Sequence, residues 1–169
     1  MDADTGGTVV VLTALNLEYD AVRAHLTEIQ RIDHPAGTLF EVGRLPGGRG
    51  RVVLAVTGEG NTGAAILTER AIRMFQPEAL LFVGVAGALK DDIALGDVVV
   101  ATKVYSYHGG KDEDGGFLSR PRAWKIPHHL DQIARYIARG YLASLCRSKI
   151  GFCVVSWVFL EFRRLGCTH

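Results

Sequence analysis

The sequence predicts an α/β protein, a three-layer sandwich with a mixed central sheet. Three observations carry that prediction. Short β-branched runs such as TVVVLT (Thr8–Thr13) alternate with amphipathic stretches. One run, ALLFVGV (Ala79–Val85), is continuously apolar, as a central parallel strand covered on both faces must be. The chain has 169 residues, 48% of them hydrophobic, which suits one domain with a real core.

The elements follow in order. After the strand Thr8–Thr13, Asn16 caps a helix from Leu17 to about Ile29. Its apolar positions Leu17, Ala21, Val22, Leu26 and Ile29 share one face. Thr38–Val42 and Arg51–Thr57 read as strands. The turn LPGGRG (Leu45–Gly50) between them makes the pair a hairpin. GEGNTG (Gly58–Gly63) opens a helix that runs to about Phe75, where Pro77 stops it. The central strand Ala79–Val85 follows, then another at Val98–Tyr107. His108–Gly116 is polar and Gly-rich and reads as a mobile loop. Pro127 opens a last helix, with Leu130, Ile133, Ala134, Ile137 and Ala138 at i, i+3, i+4, i+7 and i+8, and Gly140 ends it.

The strand–helix rhythm stops there. Residues 1–139 are expected to form one α/β domain, and residues 140–169 a divergent tail. The tail holds Cys146, Cys153 and Cys167. It reads equally as a single strand, FCVVSWVFLEF, or as non-native sequence left by a truncation or a shifted reading frame. The fold is therefore expected to be C-terminally incomplete, with exposed apolar edges that favour self-association.

Composition narrows the partners. Lys+Arg number 19 and Asp+Glu 18, a net charge of +1, which gives no electrostatic reason to expect nucleic acid or an anionic membrane. The start, MDADTGG, lacks the basic and apolar regions of a secretory signal. The apolar stretch Ile150–Leu160 falls short of the about 20 residues a membrane helix needs. The cysteine spacing fits neither a CxxC pair nor a zinc site, so free thiols in a cytoplasmic protein are expected. His108, His128 and His129 have no acid or Cys at metal-like spacing, and neither a metal nor a cofactor is expected.

Four places can carry chemistry. Glu18 stands in a helix's first turn at the C-terminal edge of a strand, where ligands of α/β sheets bind; an acid there also complements the helix dipole. Gly58–Gly63 lets backbone N–H groups approach a ligand, or is simply a tight strand-to-helix turn. It matches neither a P-loop nor GxGxxG. Gly84-Val85-Ala86-Gly87 leaves room for a flat ligand, or for close packing of a helix on a strand. Gly96-Asp97 reads as a turn into the next strand.

In order and spacing, TALNLEYDAV (Thr13–Val22), TGEGNTGAA (Thr57–Ala65), FVGVAGAL (Phe82–Leu89) and LGDVVVA (Leu95–Ala101) resemble the family of nucleoside phosphorylases and methylthioadenosine/S-adenosylhomocysteine nucleosidases. The resemblance covers residues 8 to about 110. It implies cleavage of the N-glycosidic bond of a purine nucleoside or thionucleoside, with release of adenine or another base. It implies a small-molecule nucleoside as partner and assembly into a homodimer or larger homo-oligomer. Glu18 falls where the family's water-holding glutamate stands. Gly58, Glu59 and Gly60 would lie beside the sugar, and Val85, Ala86 and Gly87 beside the base.

The phosphorylases hold phosphate with an early Gly- and Arg-containing loop and with an Arg and a Ser around the end of the central strand. Here the corresponding positions are TALNLEYD, Phe82 and Val85, which favours water as the nucleophile. Val85 also departs from the nucleosidases, which usually have Ser there. The family's leaving-group Asp and ribose-gripping Glu have no counterpart in residues 141–169, where Glu161 is the only acid. A catalytically silent nucleoside- or partner-binding module and a purine nucleoside phosphorylase are the alternatives. The absent GxGxxG argues against a dinucleotide-binding domain.

Overall fold

The computed structural model describes residues 6–48, 50–87, 93, 97–106, 109–113, 116–140 and 156–160. In chain order the elements are β1 (Thr8–Thr13), α1 (Asn16–Arg23), β2 (Thr27–Asp33), β3 (Leu39–Arg44), β4 (Arg51–Val56), α2 (Asn61–Phe75), β5 (Ala79–Phe82), β6 (Val99–Val100), β7 (Lys103–Ser106), β8 (Gly110–Glu113), β9 (Gly116–Ser119), β10 (Arg122–Lys125), α3 (His128–Gly140) and β11 (Ser156–Leu160).

The main sheet has seven strands in the order β2-β3-β4-β1-β5-β11-β6. β1 lies at its centre, parallel to β4 (Val10 opposite Val53) and to β5 (Val10 opposite Leu80). β3 runs antiparallel to β4 and β2 antiparallel to β3, so the sheet is mixed. The period-2 alternation of a strand sends its side chains to both faces. Val10, Leu12, Val53, Ala55 and Leu80 pack with Phe40 against Leu67, Ala71 and Phe75 of α2. Val11, Val52 and Leu54 pack against Tyr19 and Val22 of α1 on the other face. The three layers are helix, sheet, helix, as expected.

Several boundaries differ from the sequence reading. α1 ends at Arg23 instead of near Ile29, and Thr27–Asp33 is strand β2. Leu26 and Ile29 fall by coincidence on a helical repeat. They pack in one core while Ile32 packs in the other, because a register shift between Thr27 and Gln30, with Glu28 at φ 54°, interrupts the alternation of the strand. Leu17, expected on the buried face, is 71% exposed. Asn16 is the first helical residue, not the cap, which is Leu15. The expected loop at His108–Gly116 contains most of a hairpin in which β8 pairs antiparallel with β9. The expected strand Val98–Tyr107 breaks at Ala101–Thr102 into β6, in the main sheet, and β7, which pairs with β10. Pro77 does follow the end of α2, where Gln76 takes a left-handed conformation.

Within the tail, Ser156–Leu160 forms β11, antiparallel to β5 and parallel to β6. The three cysteines, Glu161, Gly96 and His108 lie outside the described residues. Among the described residues no helix is long and apolar enough to cross a membrane.

Candidate active site

Because β1, β4 and β5 are parallel, their C-terminal ends share one edge of the sheet. β1 is central, and the chain passes first to one side of it and then to the other, the arrangement that leaves a crevice for a ligand. Glu18, Gly58, Glu59, Gly60, Val85, Ala86 and Gly87 all follow one of these three strands directly. The fold therefore brings these seven residues to this edge.

Glu18 is the only acid among the buried polar residues described, at 8% exposure. Its Oε2 accepts the backbone N–H groups of Ala14 and Leu15, both at 2.9 Å, and its Oε1 accepts that of Val85 at 2.8 Å. The bond from Leu15 satisfies a donor at the start of α1, so the residue caps its own helix. The bond from Val85 reaches across to the end of β5. Both sequence readings of Glu18 thus describe the same side chain. An ionised carboxylate offers about four acceptor positions, so after three backbone donors one is left for a hydroxyl or a water.

The remaining residues shape the crevice. Gly58 (φ 72°) and Gly60 (φ 93°) are in the left-handed region, which explains glycine at both positions. Gly60 leads directly into α2, whose first N–H groups open onto this edge. Glu59, Ala86, Gly87 and the half-exposed Val85 line the open side. Thr57 ties β4 to β1: its N–H and its hydroxyl both donate to the carbonyl of Thr13, at 2.8 and 3.1 Å.

Three features of the edge escape the sequence. The donors Ala14 and Leu15 act through their backbone, which no residue type reveals. Gly84 is buried under the Glu18 carboxylate, although its place beside Val85 had marked it for attention. Thr13 is fully buried and its hydroxyl has no hydrogen-bond partner among the described residues. His128 and His129 are exposed at the start of α3. Among the described residues no three His, Cys, Asp or Glu side chains gather as metal ligands do.

The chain resembles known proteins over most of its length. The 5'-methylthioadenosine/S-adenosylhomocysteine nucleosidase of Chromohalobacter salexigens is 30% identical over 138 residues, 78% of this chain and 57% of that protein. The nucleosidase of the same name from Mycobacterium bovis is 36% identical over 107 residues, 61% of this chain and 39% of its own. The matched stretches thus span only 57% and 39% of these relatives' own length. Among solved structures, the Neisseria meningitidis nucleosidase in complex with methylthio-immucillin-A superposes with a TM-score of 0.65 at 22% identity, covering 89% of this chain and 62% of that one. The Streptococcus pyogenes S-adenosylhomocysteine nucleosidase gives 0.66 at 19% identity, covering 81% and 58%. These likenesses establish the fold that the sheet order and the strand-edge crevice describe. A family profile matches residues 8–152, from the first residue of β1 to beyond α3, and by that match the chain belongs to the phosphorylase superfamily.

Proposed function

We propose that this chain carries the sugar- and nucleophile-binding part of a nucleosidase that hydrolyses the N-glycosidic bond of a purine nucleoside or thionucleoside and releases adenine. The observation that carries the reading is Glu18. It is a buried carboxylate fixed by three backbone donors at the shared edge of β1, β4 and β5, with one acceptor position to spare. Cleaving the bond builds positive charge on the ribose, and a fixed anion beside it complements that charge. The free acceptor position orients a water and takes its proton as it attacks the anomeric carbon. The proton that the departing base needs comes from a group outside the described residues. Gly58, Glu59 and Gly60 flank the sugar, and the backbone of Val85, Ala86 and Gly87 meets the base. The relatives named above, themselves nucleosidases, support the same reading.

Water rather than phosphate is the nucleophile. Glu18 takes the backbone N–H groups of Ala14, Leu15 and Val85, and its charge repels a second anion. A second reading, a module that binds a nucleoside without cleaving it, is favoured by one observation. Among the described residues this edge holds no second buried acid to protonate the leaving base.

The test is adenine release from methylthioadenosine and S-adenosylhomocysteine, with and without phosphate, on protein shown to be folded by circular dichroism. Hydrolysis predicts release that does not depend on phosphate. It also predicts a loss of about 10²-fold or more in Glu18→Gln, the scale of general acid–base catalysis. Nucleoside binding without release supports the binding module. Release that requires phosphate overturns the choice of water.

A further inference from the structure

We propose that Gly84 is the positioning residue for Glu18: its missing side chain is the slot through which the carboxylate reaches the end of β5. A Cβ built on Gly84 meets Glu18 Oε1 at 2.6 Å, its carboxyl carbon at 2.9 Å and Oε2 at 3.1 Å. All three nearest atoms belong to that one carboxyl group. Nonbonded carbon atoms sit about 3.5–4.0 Å apart at best contact, so the carboxylate and a Cβ cannot share this space.

The usual reason for a glycine is absent here. Gly84 is not among the residues with a left-handed backbone, unlike Gly58 and Gly60. No left-handed backbone reserves the position for glycine, and the atoms a methyl group meets first are those of the carboxylate. Glu18 has no room to give, because both its oxygens are held by backbone donors and the residue is buried. A methyl group at position 84 therefore pushes Oε1 off the Val85 N–H and turns the carboxylate away from the edge. The link between the β1–α1 turn and the end of β5 is then lost. The positioning stands on geometry alone. Its catalytic consequence rests on Glu18 acting as the base in hydrolysis.

A thermodynamic cycle separates the two. Thermal unfolding is compared for the unmodified chain, Gly84→Ala, Glu18→Ala and the double variant. Gly84→Ala is expected to lower Tm by about 5 °C, the scale of one lost hydrogen bond to a charged group in a chain of this size. In the Glu18→Ala background the same change is expected to cost less than about 1 °C, because nothing is left for the methyl to meet. An equal loss in both backgrounds overturns the proposal. If Gly84→Ala does not fold, refolding on adding Glu18→Ala supports it and continued failure overturns it.

The amide resonance of Val85 gives a second readout. The amide should exchange with solvent slowly in the unmodified chain and faster in Gly84→Ala, which loses its acceptor. Exchange equally slow in both overturns the proposal. For catalysis, Gly84→Ala should lower kcat to the level of Glu18→Gln with KM little changed. If the unmodified chain releases no base, the hydrolytic reading fails and the unfolding cycle still decides the position of the carboxylate.

Discussion

Residues 6–87 carry clear apolar patterns, and so does α3 within residues 97–140, and the structure treats the two regions differently. Every buried hydrophobic residue of the core except Leu130 lies between Val10 and Leu80. Beyond position 97, Tyr105, Phe117, Leu118, Trp124, Ile133 and Tyr136 are all at least half exposed. The apolar stripe of α3 faces Val9, Leu81, Val98 and Val100 across a groove of about 530 Å³ that the described residues leave unfilled. Periodicity specifies which side of an element is apolar, whereas burial needs a second surface to meet it. The first region contains both sides of each contact: α1 and α2 each close one face of the sheet. In the second region the apolar stripe of α3 meets no such closing element among the described residues.

The largest effect that tests this contrast is truncation of a ring in each region. Phe40 is fully buried and meets Phe75 edge-on, with ring centroids 5.2 Å apart at 81°. Phe40→Ala is expected to cost about 3–5 kcal/mol, enough to unfold much of a marginally stable chain. Tyr136, 70% exposed on α3, should give a change within about 0.5 kcal/mol on truncation to alanine. Urea unfolding measures both. A Tyr136→Ala loss comparable to that of Phe40→Ala breaks the contrast, because it means that the outer side of α3 is covered in solution.

Within the dense region the strand edge is the least satisfied part, and one substitution sharpens that point. The Thr13 hydroxyl is fully buried without a partner among the described residues, a state that costs about 1–3 kcal/mol. Thr13→Val keeps the shape and removes the orphan group. The variant should gain about 1 kcal/mol in unfolding free energy while the backbone bonds from Thr57 to the Thr13 carbonyl persist. A loss of stability instead would show that the hydroxyl has a partner in solution, either a water or a ligand at the edge.

The same contrast explains what the sequence reveals. β1, β4, α2 and β5 are legible because each carries a pattern that its own neighbours complete. TVVVLT and RVVLAV pair in parallel at the centre of the sheet, and Leu67, Ala71 and Phe75 lie along one stripe of α2. The candidate site residues stand out with them, because they follow the ends of these strands. The α1–β2 boundary is not legible, because Leu26 and Ile29 satisfy a helical repeat, and the register shift in β2 that puts them in one core leaves no periodic trace in the sequence. The β8–β9 hairpin is hidden for the opposite reason: its strands are polar or exposed, so hydrophobic alternation has nothing to report. Contacts made by backbone atoms, such as the Val85 N–H on Glu18, leave no trace in residue types.

The smallest effect concerns what ties α1 to the sheet away from the site. Arg23 Nε donates to Glu41 Oε2 at 2.6 Å, linking the last turn of α1 to β3, and the Tyr19 hydroxyl bonds the same carboxylate. Burial pushes the Glu41 pKa up, but the hydrogen bonds from Arg23 and Tyr19 and the charge of Arg23 outweigh it and hold the carboxyl below its ordinary range. Burial and the adjacent Glu41 carboxylate hold the Tyr19 phenol well above its own. A depressed carboxyl pKa contributes stability that is present above the unfolded-state value and lost as pH falls through the folded one. A raised phenol pKa contributes stability that is present below the unfolded-state value and lost as pH climbs through the folded one. Stability compared between the unmodified chain and Glu41→Gln should therefore differ most from neutral to mildly alkaline pH and converge in acid. With the Arg23 side chain 45% exposed, the difference should be no more than about 1 kcal/mol and should shrink in about 1 M salt. A difference that ignores both pH and salt would mean that Glu41 holds α1 by shape alone. The anchor of the dense region would then be packing without an electrostatic share.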